Sequence, residues 1–177
     1  MTALLSVDPG IRGSGGSLWE NGTLVRATYI KNPLTEGGGP RECAAMAREI
    51  IVWADQWGVD CVICEWPQTY GGGASRGDTN DLFPVAGVGA ALAALVGENV
   101  RFDHVVPHDW KGSIQKPKKV SDPYSIVLMC ERRLSDAEKA VVELPGNKRH
   151  HWDVWDAVGI GLKALGRFEK MRAVARE

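Results

Sequence analysis

The hydrophobic pattern opens at residues 4–7, Leu-Leu-Ser-Val, and runs directly into Asp8-Pro9-Gly10. This reads as a buried strand that ends in a carboxylate, because Pro9 bars further ladder hydrogen bonds and Gly10 allows a sharp turn. A glycine-rich second strand follows, and Glu20-Asn21-Gly22-Thr23 carries the Asn-Gly signature of a tight hairpin into a third strand over residues 23–30. After a loop at 31–40, the period changes. Ala47, Ile50, Ile51 and Ala54 fall on one face of a helix over 41–57, with Gly58 as its C-terminal cap. Residues 59–65 are apolar on both faces, as in a strand covered on both sides, and this strand too ends in a carboxylate, Glu65.

Trp66-Pro67 stops that strand, and residues 68–78, with Gly71-Gly72-Gly73, read as a flexible loop beside the site. Asn80 or Asp81 caps a helix predicted to reach about residue 98. It is apolar nearly all round and rich in small residues, so it either packs on its own sheet or lets a second subunit approach closely. A fifth strand is expected over 100–106, ended by Pro107, and then a basic loop and a helix from about 122 to 133. Ser135-Asp136-Ala137-Glu138 has the capping-box pattern of a short further helix. A polar turn at 145–149 leads into the last helix, predicted from His150 to about residue 172.

These elements describe one α/β domain spanning residues 1–177, a size that one core can serve. The longest apolar run, 85–96, is too short for a membrane span of roughly 20 residues, and the N-terminus lacks a basic region followed by an apolar one, so a cytoplasmic protein is expected. The four cysteines form no disulfide framework. Cys61 and Cys64 lie three apart in a predicted strand and so face opposite ways, which argues for thiols rather than a metal or redox pair. The net charge of −1 announces no global attraction for nucleic acid. A local excess exists over 101–120, where Arg101, Lys111, Lys116, Lys118 and Lys119 face Asp103 and Asp109. Such a run is either a solvated loop or a DNA-binding patch.

The last helix carries Asp153 and Asp156, three apart and therefore neighbours on one face near its N-terminus. Each acid alone has an ordinary explanation: Asp8 begins a turn, and the aspartate pair suits a helix start. Together with Glu65 they make four carboxylates, which converge if the first and fourth strands lie side by side. Such a cluster needs a counter-charge. Hard oxygen donors without a Cys or His cage suit Mg²⁺, with Mn²⁺ as substitute, and two such ions roughly 4 Å apart activate water and stabilise the leaving oxygen in phosphodiester hydrolysis. His150 and His151, just ahead of the acids, either touch a phosphate or simply face solvent. Trp152 and Trp155, flanking the acids, are candidates for shaping the site.

Three motifs in order, Val7-Asp8-Pro9-Gly10, Val62-Ile63-Cys64-Glu65 and Asp153-Val154-Trp155-Asp156-Ala157-Val158, resemble the RuvC family of Holliday-junction resolvases within the ribonuclease H superfamily. Trp110-Lys111-Gly112-Ser113-Ile114 is similar to the divergent phage-encoded members. The resemblance implies a ribonuclease H-like mixed five-stranded sheet flanked by helices. It implies a homodimer, active in a bacterial cell or a phage-infected host, that resolves four-way DNA by paired symmetric nicks with two Mg²⁺ ions per subunit. Asp8, Glu65, Asp153 and Asp156 match the metal-binding acids, with Asp8 bridging both ions. Lys111 and Lys119 match basic residues near the scissile phosphate, and Lys116 and Lys118 belong to the same DNA-binding segment. The helix after Asn80 resembles the dimer-interface helix. Where the family often has an aromatic three residues after the central Glu, this chain has Gln68, leaving Trp66 and Tyr70 as candidates to stack at the junction. Residues 134–149 are longer than the usual connection. Rival expectations are a broader flap or fork nuclease of the same superfamily and an actin-like or sugar-kinase-like nucleotide binder. The second would need a repeat of the first glycine-rich loop, which the chain lacks.

Overall fold

The computed structural model describes residues 3–34, 38–68 and 82–167. β1 (Ala3–Asp8), β2 (Gly13–Glu20) and β3 (Thr23–Lys31) form an antiparallel meander turned at Asn21-Gly22. β4 (Cys61–Glu65) and β5 (Arg101–Val105) then add in parallel on the other side of β1. The sheet order is β3-β2-β1-β4-β5, so the first strand is central and buried along its whole length.

The two-residue period of the strands sorts the core into two layers. Leu5 and Val7 of β1 and Val62 and Cys64 of β4 face α1 (Pro40–Ala54) and α2 (Leu82–Leu95), meeting Met46, Ile50, Val88 and Leu92. Leu4, Cys61 and Ile63 face the other way, toward α4 (Ser125–Glu131) and α6 (His151–Ala164), meeting Ile126, Met129, Val158 and Leu162. Each large side chain buried fully in these layers is worth about 1.5–3 kcal/mol. The same alternation places the polar ends: Asp8 follows Leu4 and Ser6, and Glu65 follows Cys61 and Ile63, so both strand-end carboxylates stand on the α6 face. Parallel pairing, with Val7 opposite Cys64, sets them side by side. Cys61 and Cys64 lie on opposite faces, as their spacing predicts.

α6 sits directly on β1 and β2. Ser6 and Ser17 hydroxyls both donate to the Ala157 carbonyl, at 3.0 and 3.1 Å. At Gly15, opposite Asp8 in the ladder, the backbone of Asp153 comes so close that a β-carbon would overlap its carbonyl oxygen.

Four expectations need correction. Residues 107–110, expected as loop, form one helical turn, α3 (Pro107–Trp110), with Pro107 in the first position that suits it. α4 covers only Ser125–Glu131, because Tyr124 stays extended to send its ring into the core. α2 ends at Leu95 rather than near residue 98. α6 stops at Ala164, where Gly166 takes φ +68° and the Gly166 and Arg167 amides close back on Lys163 and Leu162. That is a Schellman ending, and Gly166 is its signal in the sequence. The capping box holds: α5 (Asp136–Ala140) opens with Ser135 and Glu138 bonded reciprocally. The proposed caps Asn80 and Asp81 and the loop with Gly71-Gly72-Gly73 lie outside the described residues.

Glu138 does more than cap. Only 4% exposed, it accepts the Leu24 amide at 3.1 Å and the Arg167 guanidinium at 2.6 and 3.0 Å, clasping α5, β3 and the end of α6 together. The segment after α5 lies along the outer edge of β3, with Ala27 donating to Val141 and Glu143 donating to Ala27. That is the place of the long connection at 134–149.

The Arg167 hydrogen bonds pull the Glu138 carboxyl down to about 2 from the ordinary 4.5. Its folded pKa lies below its unfolded one, so the clasp contributes fully above pH 4.5 and is lost as pH falls toward 2, a difference of about 3 kcal/mol. Glu138→Gln is therefore expected to flatten the acid limb. Urea unfolding at pH 7 and pH 3 should show the wild type losing more stability across that interval than the variant, and equal losses would refute the clasp.

Candidate active site

Glu65, at the end of β4, accepts the Trp110 indole N–H at 2.7 Å and pairs with Lys111 at 3.1 Å. Trp110 is buried against Gly159 of α6, which fixes the indole that holds the carboxylate. Asp156, fully buried on α6, accepts the Tyr124 hydroxyl at 2.6 Å through one oxygen. Its other oxygen lies 3.1 Å from Lys111 and 3.3 Å from Lys116. Lys116 also reaches Asp8 at 3.3 Å and Asp153 at 2.8 Å. Four carboxylates from β1, β4 and α6 thus converge on two ammonium groups, and Asp156 links the two.

Burial dominates the electrostatics. It pushes Asp8 up to about 8, with Lys116 working against the rise and Asp156 and Glu65 adding to it. Glu65 is raised for the same reason, opposed chiefly by Lys111. Burial works against the charge of Lys111 too, but Asp156, Glu65 and Asp8 overcome it and hold its pKa above the ordinary lysine value. Asp8, Asp156 and Asp153 do the same for Lys116. Burial and Asp156 raise the Tyr124 phenol, so it remains a hydrogen-bond donor.

Among the described residues no three His, Cys, Asp or Glu side chains close into a metal cage. The lysine ammoniums instead occupy the space between the carboxylates. The donor set nevertheless fits a hard divalent cation: it is all oxygen, Asp8 and Asp156 are buried while Glu65 and Asp153 are partly so, and it already gathers around two positive centres. Asp8, Glu65, Asp153 and Asp156 would hold it.

The basic segment divides. Lys111 and Lys116 turn into the carboxylate cluster, whereas Lys118 and Lys119 are exposed and form no salt bridge among the described residues. Trp66 packs over Gly89 of α2 and meets His104 edge-on at 6.3 Å, so it is engaged at the end of the sheet. Tyr70 lies outside the described residues. The two histidines separate: His150 Nδ1 is 3.3 Å from Asp153, while His151 bonds back to the Pro145 carbonyl at 2.7 Å. Trp152 leans on Tyr124, with ring centres 5.9 Å apart, and so supports the residue that holds Asp156. Sequence reasoning missed Trp110 and Tyr124 as donors to the acids. Pro107 ahead of Trp110 was the available signal for the first, and nothing in the apolar pattern around Tyr124 marks the second.

No protein-family model matches the chain, and no curated protein matches it. Solved structures do. A Thermus thermophilus RuvC in complex with Holliday junction substrate superposes with a TM-score of 0.60 at 16% identity, covering 94% of each chain. A second T. thermophilus RuvC structure gives 0.57 at 14% identity, covering 94% of this chain and 98% of that one. The yeast mitochondrial Holliday junction resolvase Ydc2 gives 0.53 at 13%, covering 94% and 78%. The fold is the ribonuclease H-like fold of RuvC, a mixed five-stranded sheet with flanking helices, in agreement with the expected fold class.

Proposed function

We propose that this chain is a metal-dependent endodeoxyribonuclease that resolves four-way DNA junctions as a homodimer. The observation that carries the reading is the convergence of Asp8, Glu65, Asp153 and Asp156 on two cationic positions, within a fold shared along 94% of its length with a RuvC solved on a Holliday junction. Bound Mg²⁺, or Mn²⁺ in its place, supplies activation of water and charge stabilisation at the leaving oxygen. The protein's own groups do the rest. Trp110 and Tyr124 hold Glu65 and Asp156 in fixed orientations, and such outer partners commonly carry 10- to 100-fold in metal affinity or activity, in about that range. Lys111 and Lys116 bring positive charge to the place where the phosphate gains negative charge. Lys118 and Lys119, exposed and without a salt bridge among the described residues, hold the DNA backbone. The products are 5′-phosphate and 3′-hydroxyl ends.

Paired nicks need two sites related by a two-fold axis. α2 supports a pairing surface: Val88 and Leu92 are buried on the sheet, while Phe83 at 68% and Leu95 at 43% exposure face outward beside Ala90, Ala93 and Ala94. Among the described residues no helix is long and apolar enough to cross a membrane, and a cytoplasmic setting accords with a DNA substrate.

The test is cleavage of a labelled four-way junction beside a flap, a fork and plain duplex, with Mg²⁺ or EDTA and with Asp8→Asn as control. Symmetric paired nicks confined to the junction, abolished by EDTA and by the substitution, are expected. Equal cutting of flaps and forks would replace the resolvase reading with that of a general branched-DNA nuclease. No metal-dependent cutting at all would refute both.

A further inference from the structure

Beside the carboxylate cluster lies a pocket of about 280 Å³ that the chemistry above does not use. It is lined by Asp8, Lys116 and Asp153, by the β1–β2 loop from Pro9 to Gly13 with Arg12 in it, and by Tyr29 and His150. Its size is at the lower end of ligand-binding cavities, about 300 Å³.

Two features of its lining and one beside it point to a nucleic-acid unit. Arg12 is exposed at the tip of the β1–β2 loop and forms no salt bridge among the described residues. That loop is held in shape, with the Gly10 amide donating to the buried Ser14 hydroxyl at 3.1 Å. A guanidinium on such a support presents the planar fork that matches a phosphate. In the same lining, the Tyr29 and His150 rings stack with centres 4.1 Å apart and planes 20° from parallel, making an aromatic wall. The stack is itself anchored, because His150 bonds Asp153. Lys148 and Arg149, in the same turn as His150, are exposed and form no salt bridge among the described residues, so the rim continues as positive surface.

Asp8 and Asp153 line the pocket with Lys116 between them, and Arg12 adds a guanidinium that forms no salt bridge among the described residues. A free anion would gain one contact here. A DNA strand with its scissile phosphate at the carboxylates gains that contact and the aromatic wall when its next nucleotide enters this space.

We infer that the Arg12–Tyr29–His150 pocket binds the nucleotide next to the scissile phosphate, with Arg12 on that nucleotide's phosphate and the stacked rings against its sugar and base. The inference rests on the nuclease reading and assigns Arg12 on the β1–β2 loop, Tyr29 on β3 and His150 in the turn before α6.

The test is binding in EDTA, read by fluorescence anisotropy on a four-way junction. Single methylphosphonates, which are uncharged, replace the phosphates around the junction centre one position at a time. Arg12→Ala should weaken binding about tenfold and lower the salt slope by about 1, with Arg12→Lys recovering part of the loss. One methylphosphonate position should cost the wild type about tenfold and cost Arg12→Ala nothing further, the signature of a direct contact in a protein–DNA cycle. An abasic nucleotide at that position should likewise cost the wild type and spare His150→Ala. If every substitution in the DNA costs wild type and variants equally, the pocket assignment is overturned while the nuclease reading stands. If the wild type binds no branched DNA, both fall.

Discussion

Asp156→Asn is expected to lower metal-dependent junction cleavage by at least about a thousandfold, ~4 kcal/mol of transition-state stabilisation. Asp156 is the acid whose one oxygen faces both ammonium groups and whose other oxygen is held by Tyr124. Asn keeps the shape and an oxygen for Tyr124 but removes the charge between the two cationic positions. The four acids outnumber the two lysines, and burial responds by raising Asp8 to about 8. Divalent cations relieve that imbalance, so Mg²⁺ should stabilise the wild type. At a hundred times its dissociation constant the gain is about 2.7 kcal/mol, or roughly 5 to 10 °C in Tm for a chain of this size. The variant should lose most of that rise, which separates loss of metal from loss of fold. A variant that keeps the full Mg²⁺-dependent rise yet cannot cut would show that Asp156 does not hold metal.

Gly15→Ala should damage stability and activity together, although Gly15 carries no chemistry. A β-carbon there meets the Asp153 carbonyl, which is helix backbone and has no rotamer with which to yield. α6 must move off β2, at about 1–3 kcal/mol for overpacking. The movement carries Asp153, and a displacement of about 1 Å in a reacting constellation costs on the order of a hundredfold in rate. Gly146→Ala, with open space around the position, should leave both properties unchanged. Urea midpoints and initial cleavage rates measured on the same preparations decide the matter. A Gly15→Ala protein cutting within a few-fold of wild type would mean that the helix seat is looser than its geometry.

Much of this was legible because it is periodic or local. Alternation in residues 4–8 and 61–65 fixes which way Asp8 and Glu65 point, and Asn21-Gly22 fixes the hairpin that starts the sheet. The i, i+3 spacing places Asp153 and Asp156 on one helical face. What escaped the sequence depends on side chains meeting across long separations. Lys116 reads as one more charge in a DNA-facing run, yet its ammonium turns inward because Asp8, Asp153 and Asp156 together outweigh its hydration. Tyr124 reads as an aromatic in an apolar stretch, and its value lies in a hydroxyl whose partner is 32 positions away. Glu138 announced its cap to Ser135, three residues distant, but not its clasp on Arg167, which requires α6 to end at Gly166. His150 and His151 are adjacent and chemically identical, and only the direction of the turn before α6 distinguishes them.

The seat of α6 on β1 also sets when the carboxylate cluster can form. Ser6 and Ala157, joined by a hydrogen bond, are 151 positions apart. At ribosomal speeds of about 5–20 residues per second, roughly 8 to 30 seconds separate their synthesis. For nearly all of that interval the nascent chain carries Asp8, and later Glu65 and the basic loop, but neither Asp153 nor Asp156. A product truncated before residue 151 therefore holds surfaces suited to DNA without the full acid set. Placing the last two carboxylates on the final described helix means that the four-carboxylate cluster forms only after that helix has been made and has docked.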